Sequence, residues 1–242
     1  MKHHTDMACE SARLVSGVGG ARCVSRTIGG VRITDIRIPA GTEAEFPPGR
    51  YITLEGDPCG NALPALLRRA IMQLLPPDGG ILAAGLGNPD ITRDSLGALS
   101  VRRLVPQNGM RYSLAAIETD VAARTGIETV RLVRAAAREI SCAAVIAVDS
   151  LSCTSPQRLC GSVQLSTAGI TPGSGSAAPR RELSRRTVGV PVIAVGVPTA
   201  LEVSALTGEK SHRGLLAAPS DEDVQVRLWA GCIADAVNSV IR

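Results

Sequence analysis

Residues 142–203 decide the fold of this chain. They read CAAVIAVDSL (142–151), SVQLSTAGITPGSGS (162–176) and RRELSRRTVGVPVIAVGVPTALEV (180–203). Two continuous apolar runs, typical of buried parallel strands, enclose a Gly/Ser/Pro loop and a short basic stretch. The first run ends at Asp149, which places polar chemistry at the carboxyl end of a strand, where open α/β sheets keep their sites.

The rest of the chain alternates strand and helix patterns around these runs. Strands are predicted at 31–38, 51–54, 80–86, 143–148 and 190–197, and helices at 62–75, 94–104, 127–140, 180–186 and 222–241. In the last helix, Val224, Leu228, Ile233 and Val237 are expected to point inward. The alternation predicts an α/β fold with a mainly parallel (mixed) sheet and helices on both faces, a three-layer αβα arrangement. Residues 1–30, punctuated by glycines, are expected to be irregular, and residues 31–242 to form one domain.

Composition excludes several classes of function. The chain is 45% hydrophobic but only 2% aromatic, which argues against base-stacking platforms, and its net charge of +4 is spread thinly. Seven cysteines and three histidines show neither a C-x-x-C pair nor a zinc-ligand spacing. We expect no nucleic-acid partner, no membrane span and no secretion signal, and a cytoplasmic protein with reduced thiols.

Two aspartates are candidate catalytic residues. Asp94 follows the strand that ends in G-L-G-N (85–88), and Asp149 ends another predicted strand. Two close carboxylates tend to share a proton, so that one can take a proton from water while the other polarises a carbonyl. Alternatively, Asp94 caps a helix and Asp149 accepts bonds from backbone N–H groups. Spacing alone does not separate Asp94 from Asp90.

The loop containing Gly173, Ser174 and Gly175 is the second candidate. Its successive N–H groups can hold an anion or a peptide carbonyl, and it lacks the G-K-[ST] of a Walker loop. The alternative is an ordinary connection. Ser150, Ser152 and Cys153 have no nearby histidine in sequence to activate them.

The blocks I-A-V-D (146–149), P-G-S-G (172–175), R-x-E-L-S (180–184) and G-V-P-V-I-A-V-G-V-P-T (189–199) resemble those of the spore germination proteases. So do P-P-G-R-Y-I-T-L-E (47–55), G-L-G-N (85–88), T-R-D-S-L-G (92–97) and T-G-I-E-T (125–129), in the same order.

The resemblance implies an endopeptidase, made as a zymogen, that degrades small acid-soluble spore proteins during germination in the spore core. The fold that it implies is a single α/β domain of the phosphorylase/hydrolase-like kind. It assigns Asp94 and Asp149 as the water-activating pair, and it makes the loop at 173–175 a wall of the peptide cleft. Because the sequence offers no conventional zinc-ligand set, we expect this pair to work with no cofactor and no metal. It also implies a homotetramer.

The N-terminal residues His4–Glu10 (H-T-D-M-A-C-E) resemble the family's propeptide junction, which in turn resembles its substrates' cleavage site. We therefore expect self-processing between Asp6 and Met7. The alternative is a disordered tail.

The chain departs from the family pattern in two places. Ser166–Ile170 lacks an acid that the family carries, and Ala177–Arg180 replaces a family turn. Two other functions therefore stay open: a non-catalytic sporulation relative of the same fold, and a metal-dependent maturation-type peptidase.

Overall fold

The computed structural model describes residues 5–171 and 181–241. The strands are β1 (Arg22–Ile28), β2 (Val31–Ile38), β3 (Gly49–Glu55), β4 (Gly79–Gly85), β5 (Gln107–Asn108), β6 (Tyr112–Glu118), β7 (Ala144–Cys153), β8 (Ser162–Ser166), β9 (Val192–Glu202) and β10 (Leu216–Ala217). The helices are α1 (Ala12–Val15), α2 (Ala62–Leu74), α3 (Leu96–Val101), α4 (Ala122–Thr125), α5 (Thr129–Glu139), α6 (Arg185–Val188), α7 (Val203–Thr207) and α8 (Glu222–Ile241). Short 3-10 turns cover Ala8–Glu10, Val18–Gly20, Thr92–Asp94, Pro156–Arg158 and Lys210–His212.

Within the described residues, the strands form one mixed sheet in the order β1-β2-β3-β8-β9-β7-β4-β6-β5, and β10 pairs with the far end of β9. Parallel pairing joins β6, β4, β7 and β9. The outer ladders are antiparallel. The parallel centre places the carboxyl ends of β4, β7 and β9 at one edge, where the site is expected.

The two faces of the sheet carry different layers. Along β7, Ile146 and Val148 pack under α2, α3 and α8, whereas Val145 and Ala147 pack under α5 and α6. Successive side chains of a strand point to opposite faces, so a strand covered on both sides must be apolar at every position. The predicted α/β architecture with a mixed sheet and helices on both faces is thereby confirmed.

A third apolar cluster lies beside the α5–α6 layer. It joins the N-terminal segment to the sheet through Met7, Ala8, Leu14, Tyr51 and Leu151. The prediction that residues 1–30 are irregular is therefore wrong in part, because the N-terminal segment is packed and β1 extends the sheet. The Gly29-Gly30 pair is the sequence feature that could have predicted β1. Both residues have positive φ, as a two-residue hairpin turn requires.

Two predicted helices differ from the observed ones at their ends. The helix expected at 94–104 is a 3-10 turn at Thr92–Asp94 followed by α3, and neither Thr92 nor Asp94 caps it. The helix expected at 180–186 begins only after Ser184, because Ser184 and Thr187 form a reciprocal capping box there.

The inward face of α8 was partly mispredicted. Val224 and Leu228 are 48% and 39% exposed, while Val226, Trp229 and Ile233 are fully buried. Leu228 and Ile233 are five positions apart, so their side chains point about 140° apart around the helix axis. They therefore cannot lie on the same face of α8. None of the helices in the described ranges is long and apolar enough to cross a lipid bilayer.

Trp229 anchors α8 to the sheet. Its indole N–H donates a 2.7 Å hydrogen bond to the Cys160 carbonyl, and its ring is fully buried. We expect Trp229→Ala to lower the free energy of unfolding by about 3–5 kcal/mol, because it leaves a cavity and an unpaired carbonyl. Urea unfolding followed by circular dichroism measures this. Leu228→Ala, on the exposed side of the same helix, is the matched control, and an equal loss for both would contradict the assignment.

Candidate active site

Asp149 lies on the face of β7 opposite α3. It is 3% exposed and lines a cavity of about 260 Å³ together with Tyr51, Gln164 and Gly196. The backbone N–H of Ser150 donates to its Oδ1 at 2.9 Å, so one part of the backbone alternative is observed. The donor is the next residue in the chain, and the Asp149 carboxylate that accepts this bond still lines the cavity.

Three strands bring side chains into one row across the cavity floor. Asp149 on β7 is in register with Gly196 on β9, and Gly196 is in register with Gln164 on β8. Paired residues of neighbouring strands point to the same face, and neighbouring strands lie about 4.8 Å apart. The carboxylate and the amide therefore stand on either side of a residue that has no side chain.

Thr5 and Asp6, at the start of the N-terminal segment Thr5–Glu10, line this cavity. The Asp6 N–H donates to the Ser152 carbonyl at 3.0 Å, and the Ser152 N–H and hydroxyl donate to Asp6 Oδ2 at 2.8 and 2.7 Å. Met7 and Ala8 are fully buried. Asp6, predicted to precede the processing site, thus lines the same cavity as Asp149, whereas Met7 is not among the described lining residues, and processing stays a prediction. The alternative of a disordered tail does not describe residues 5–10.

The Glu10 carboxylate fixes the far end of the segment. It accepts hydrogen bonds from Thr154 N–H and Oγ1 at 2.7 and 2.6 Å and from Ser155 N–H at 3.0 Å. Arg158 approaches it at 3.6 Å, and only 3% of the Glu10 side chain is exposed. Charge-assisted hydrogen bonds of this kind make the acid a specific anchor.

Asp94 lies at the same edge of the sheet but on the side of α3 and α8. Its Oδ2 accepts a 2.6 Å hydrogen bond from the Asn88 N–H, and the preceding Arg93 carbonyl accepts one from the Thr199 hydroxyl at 2.6 Å. Gly87, at φ +91°, allows this turn, since a Cβ there would lie 2.1 Å from the Asp94 carbonyl oxygen. Asp94 therefore braces the loop after β4 and does not cap a helix.

β4 runs beside β7 up to the residue before Asp149, because the Leu86 N–H donates to the Val148 carbonyl at 2.8 Å. The prediction that Asp149 ends its strand is wrong, because β7 stays paired with β9 as far as Cys153. Asp94 lies in the loop after the neighbouring strand β4, as predicted. Asp94 is not among the described residues that line the cavity. The pairing of the two carboxylates stays a prediction, and the loop residues Gly173, Ser174 and Gly175 lie outside the described ranges.

Nucleophilic cysteine chemistry finds no support beside Asp149. Burial raises the pKa of the Cys153 thiol to about 12, and burial also raises the pKa of Cys9. A thiol with a raised pKa carries little thiolate at neutral pH. Over residues 5–171 and 181–241, no group of three His, Cys, Asp or Glu side chains is placed to hold a metal ion.

Comparison with known proteins places the chain in a family. Residues 3–212 match the family model described as "Germination protease". The chain belongs to the germination protease family. Curated members include the germination proteases of Priestia megaterium, 32% identical over 206 residues, and of Bacillus mycoides, 31% identical over 238 residues.

The family match does not extend over the whole length of these relatives. The aligned regions cover 74% and 85% of this chain but 55% and 65% of the relatives. The NiFe hydrogenase maturation protease HycI of Thermococcus kodakarensis KOD1 also aligns, with a TM-score of 0.41, 16% identity, and 69% of this chain and 98% of that chain covered. At that score the likeness says nothing about activity.

The burial of the cysteines predicts their reactivity. Cys59 is exposed, whereas Cys9, Cys142, Cys153, Cys160 and Cys232 are buried. We expect a chromogenic disulfide reagent to label Cys59 of the native chain at least about 100-fold faster than the buried thiols, because thiolate and access are both needed. Peptide mapping after timed labelling measures this, and full denaturation is the control. Fast native labelling of Cys153 would contradict the burial described.

Proposed function

We propose that this chain is an endopeptidase precursor that cuts its own Asp6–Met7 bond and then cuts small acid-soluble spore proteins during germination. The observation that carries the proposal is that Asp6, the residue before that bond, lines the same cavity as Asp149. Membership of the germination protease family supports the same reaction class.

The chemistry proposed for the site uses Asp149 as the group that takes a proton from water. Its carboxylate lines the cavity together with Asp6, whose carbonyl precedes the bond, and a water molecule held in the cavity would attack that carbonyl carbon. Positioning of this kind, together with general-base catalysis, supplies the rate. Asp94, at the neighbouring strand end, is proposed as the second carboxylate, and its hold on Asn88 keeps the loop after β4 in place.

The docked segment indicates which peptides the groove accepts. It holds an acid before the bond through Ser152, a large apolar residue and Ala after it in a fully buried pocket, and a second acid at Glu10. A substrate with the pattern acid, large apolar, Ala, any residue, acid satisfies each of these contacts. This supports small acid-soluble spore proteins as substrates on the resemblance stated above.

The remaining parts of the proposal rest on the family likeness. They are a homotetramer, a location in the cytoplasm of the spore core, and catalysis without a resident cofactor. Light scattering of the purified chain tests the tetramer directly.

Removing a catalytic carboxylate should stop self-processing. Asp149→Asn keeps the size of the side chain but cannot take a proton, so we expect the rate of loss of residues 1–6 to fall about 100-fold or more. The processing rate of Asp94→Asn is expected to fall similarly if Asp94 completes the pair. Intact-mass spectrometry of the incubated chain gives the rates.

Asp90→Asn is the matched control, because Asp90 lies in the same loop and makes an exposed ion pair with Arg124. Equal processing by the wild type and Asp149→Asn would overturn the proposed function. Loss in Asp149→Asn with normal processing in Asp94→Asn would remove Asp94 from the mechanism.

The acid anchor should control docking independently of catalysis. Glu10→Gln removes the charge that Thr154, Ser155 and Arg158 engage, and hydrogen bonds to a charged group are worth about 1.5–3 kcal/mol. We expect amide hydrogen exchange over residues 6–10 to become roughly 10-fold faster or more. Glu43→Gln, the same substitution at an exposed position outside the segment, is the control. Unchanged exchange in Glu10→Gln would show that the anchor does not hold the segment.

A further inference from the structure

Gln164 is a buried polar residue that the sequence did not single out. It lies in the middle of β8, is 5% exposed, and faces the cavity two strands away from Asp149. A glutamine amide has two donor hydrogens and an acceptor oxygen, and a buried one must satisfy them. Both ends of this amide bond to the docked N-terminal segment.

The two hydrogen bonds of Gln164 enclose the bond predicted to be cut. Its Nε2 donates to the Asp6 carbonyl oxygen at 2.8 Å, and its Oε1 accepts from the Ala8 N–H at 2.8 Å. The orientation of the amide is unambiguous, because the carbonyl oxygen can only accept and the N–H can only donate. Gln164 therefore holds the backbone on both sides of Met7.

Gly196, between Asp149 and Gln164, leaves room for the Leu151 side chain that packs against it. A Cβ at this position would lie 2.5 Å from the Leu151 side chain, so the position cannot carry one without displacing Leu151. Two strand spacings of about 4.8 Å separate the backbones of the two flanking residues. The Asp6 carbonyl thus meets an amide donor from β8, while the carboxylate stands on β7.

We propose that Gln164 is a catalytic residue that stabilises the negative charge on the carbonyl oxygen of the bond being cut. The inference rests on the proposed function and adds a residue to it. A donor already aimed at the carbonyl needs no reorganisation when charge develops there.

The step balances with the groups named. Water oxygen bonds to the Asp6 carbonyl carbon while its proton passes to Asp149, and the carbonyl oxygen becomes negative on Gln164 Nε2–H. The carbon–nitrogen bond then breaks as the Met7 nitrogen takes that proton. The products are a carboxyl group on Asp6 and an amine on Met7.

The test compares two variants that remove different parts of the clamp. Gln164→Met is similar in length and loses both hydrogen bonds. Ala8→Pro loses only the bond to Oε1, and proline is suited to the first position of the 3-10 turn that begins at Ala8, after the extended Met7. First-order self-cleavage is measured by intact mass, and hydrogen exchange over residues 6–10 gives the docked fraction by which each rate is corrected.

We expect the corrected rate to fall about 100-fold or more in Gln164→Met, as when a donor to a developing oxyanion is removed, and much less in Ala8→Pro. Gln107→Met, on the distant edge strand β5, controls for loss of a sheet glutamine. Rescue by Gln164→Asn or Gln164→His to above the Gln164→Met rate would further support a donor role.

Other outcomes overturn the proposal. A Gln164→Met rate no lower than that of Ala8→Pro would mean that Gln164 only docks the backbone, and a faster rate would mean that it holds the bond in an unreactive pose. Either result leaves the proposed function standing. Failure of the wild type to cut at all would remove both.

Discussion

The structure depends on one constraint, which is that β7 must be buried on both faces and still carry a charged side chain. Ile146 and Val148 fill one layer of core, and Val145 and Ala147 fill the other. The next residue, Asp149, faces a cavity whose described lining includes Asp6, Phe46, Ile170 and Glu182. The burial of this carboxylate therefore depends on segments far from it in the chain, and the N-terminal segment is one of them.

The sheet supplies most of the hydrogen-bond donors that hold the N-terminal segment in place. Ser152, Thr154 and Ser155 follow Asp149 in sequence and use backbone and hydroxyl donors to hold the acids at 6 and 10. β8 contributes the remaining contacts through a single amide. β7 and β8, which flank β9, thus carry both the candidate catalytic residues and the contacts to the segment.

The sequence was informative where one strand or helix explains its own pattern. The apolar runs of β7 and β9 and the stripe of α5 were readable without a structure. The strand end predicted at Asp149 was wrong, because the polar residues after it remain paired with β9. The resemblance to the germination proteases assigned Asp94 as a catalytic residue and Asp6–Met7 as the processing junction. Gln164 escaped notice because S-V-Q-L-S is short and half polar, and its meaning lies in its register with Gly196 on another strand.

The errors have similar causes. The inward stripe of α8 was assigned from apolar content, whereas Val224 and Leu228 lie off the face that the 3.6-residue period selects. The predicted helix at 180–186 begins at the basic residues, whereas the side-chain cap at Ser184 starts α6 later.

The anchoring of Glu10 has a consequence for any peptide that arrives from solution. The groove is already filled by a ligand that the chain carries on itself, and a short tether holds such a ligand at an effective concentration in the millimolar range. Under the proposed function, a free substrate competes with this internal occupant, so its apparent affinity is set by how readily residues 5–10 leave the groove as well as by its own contacts.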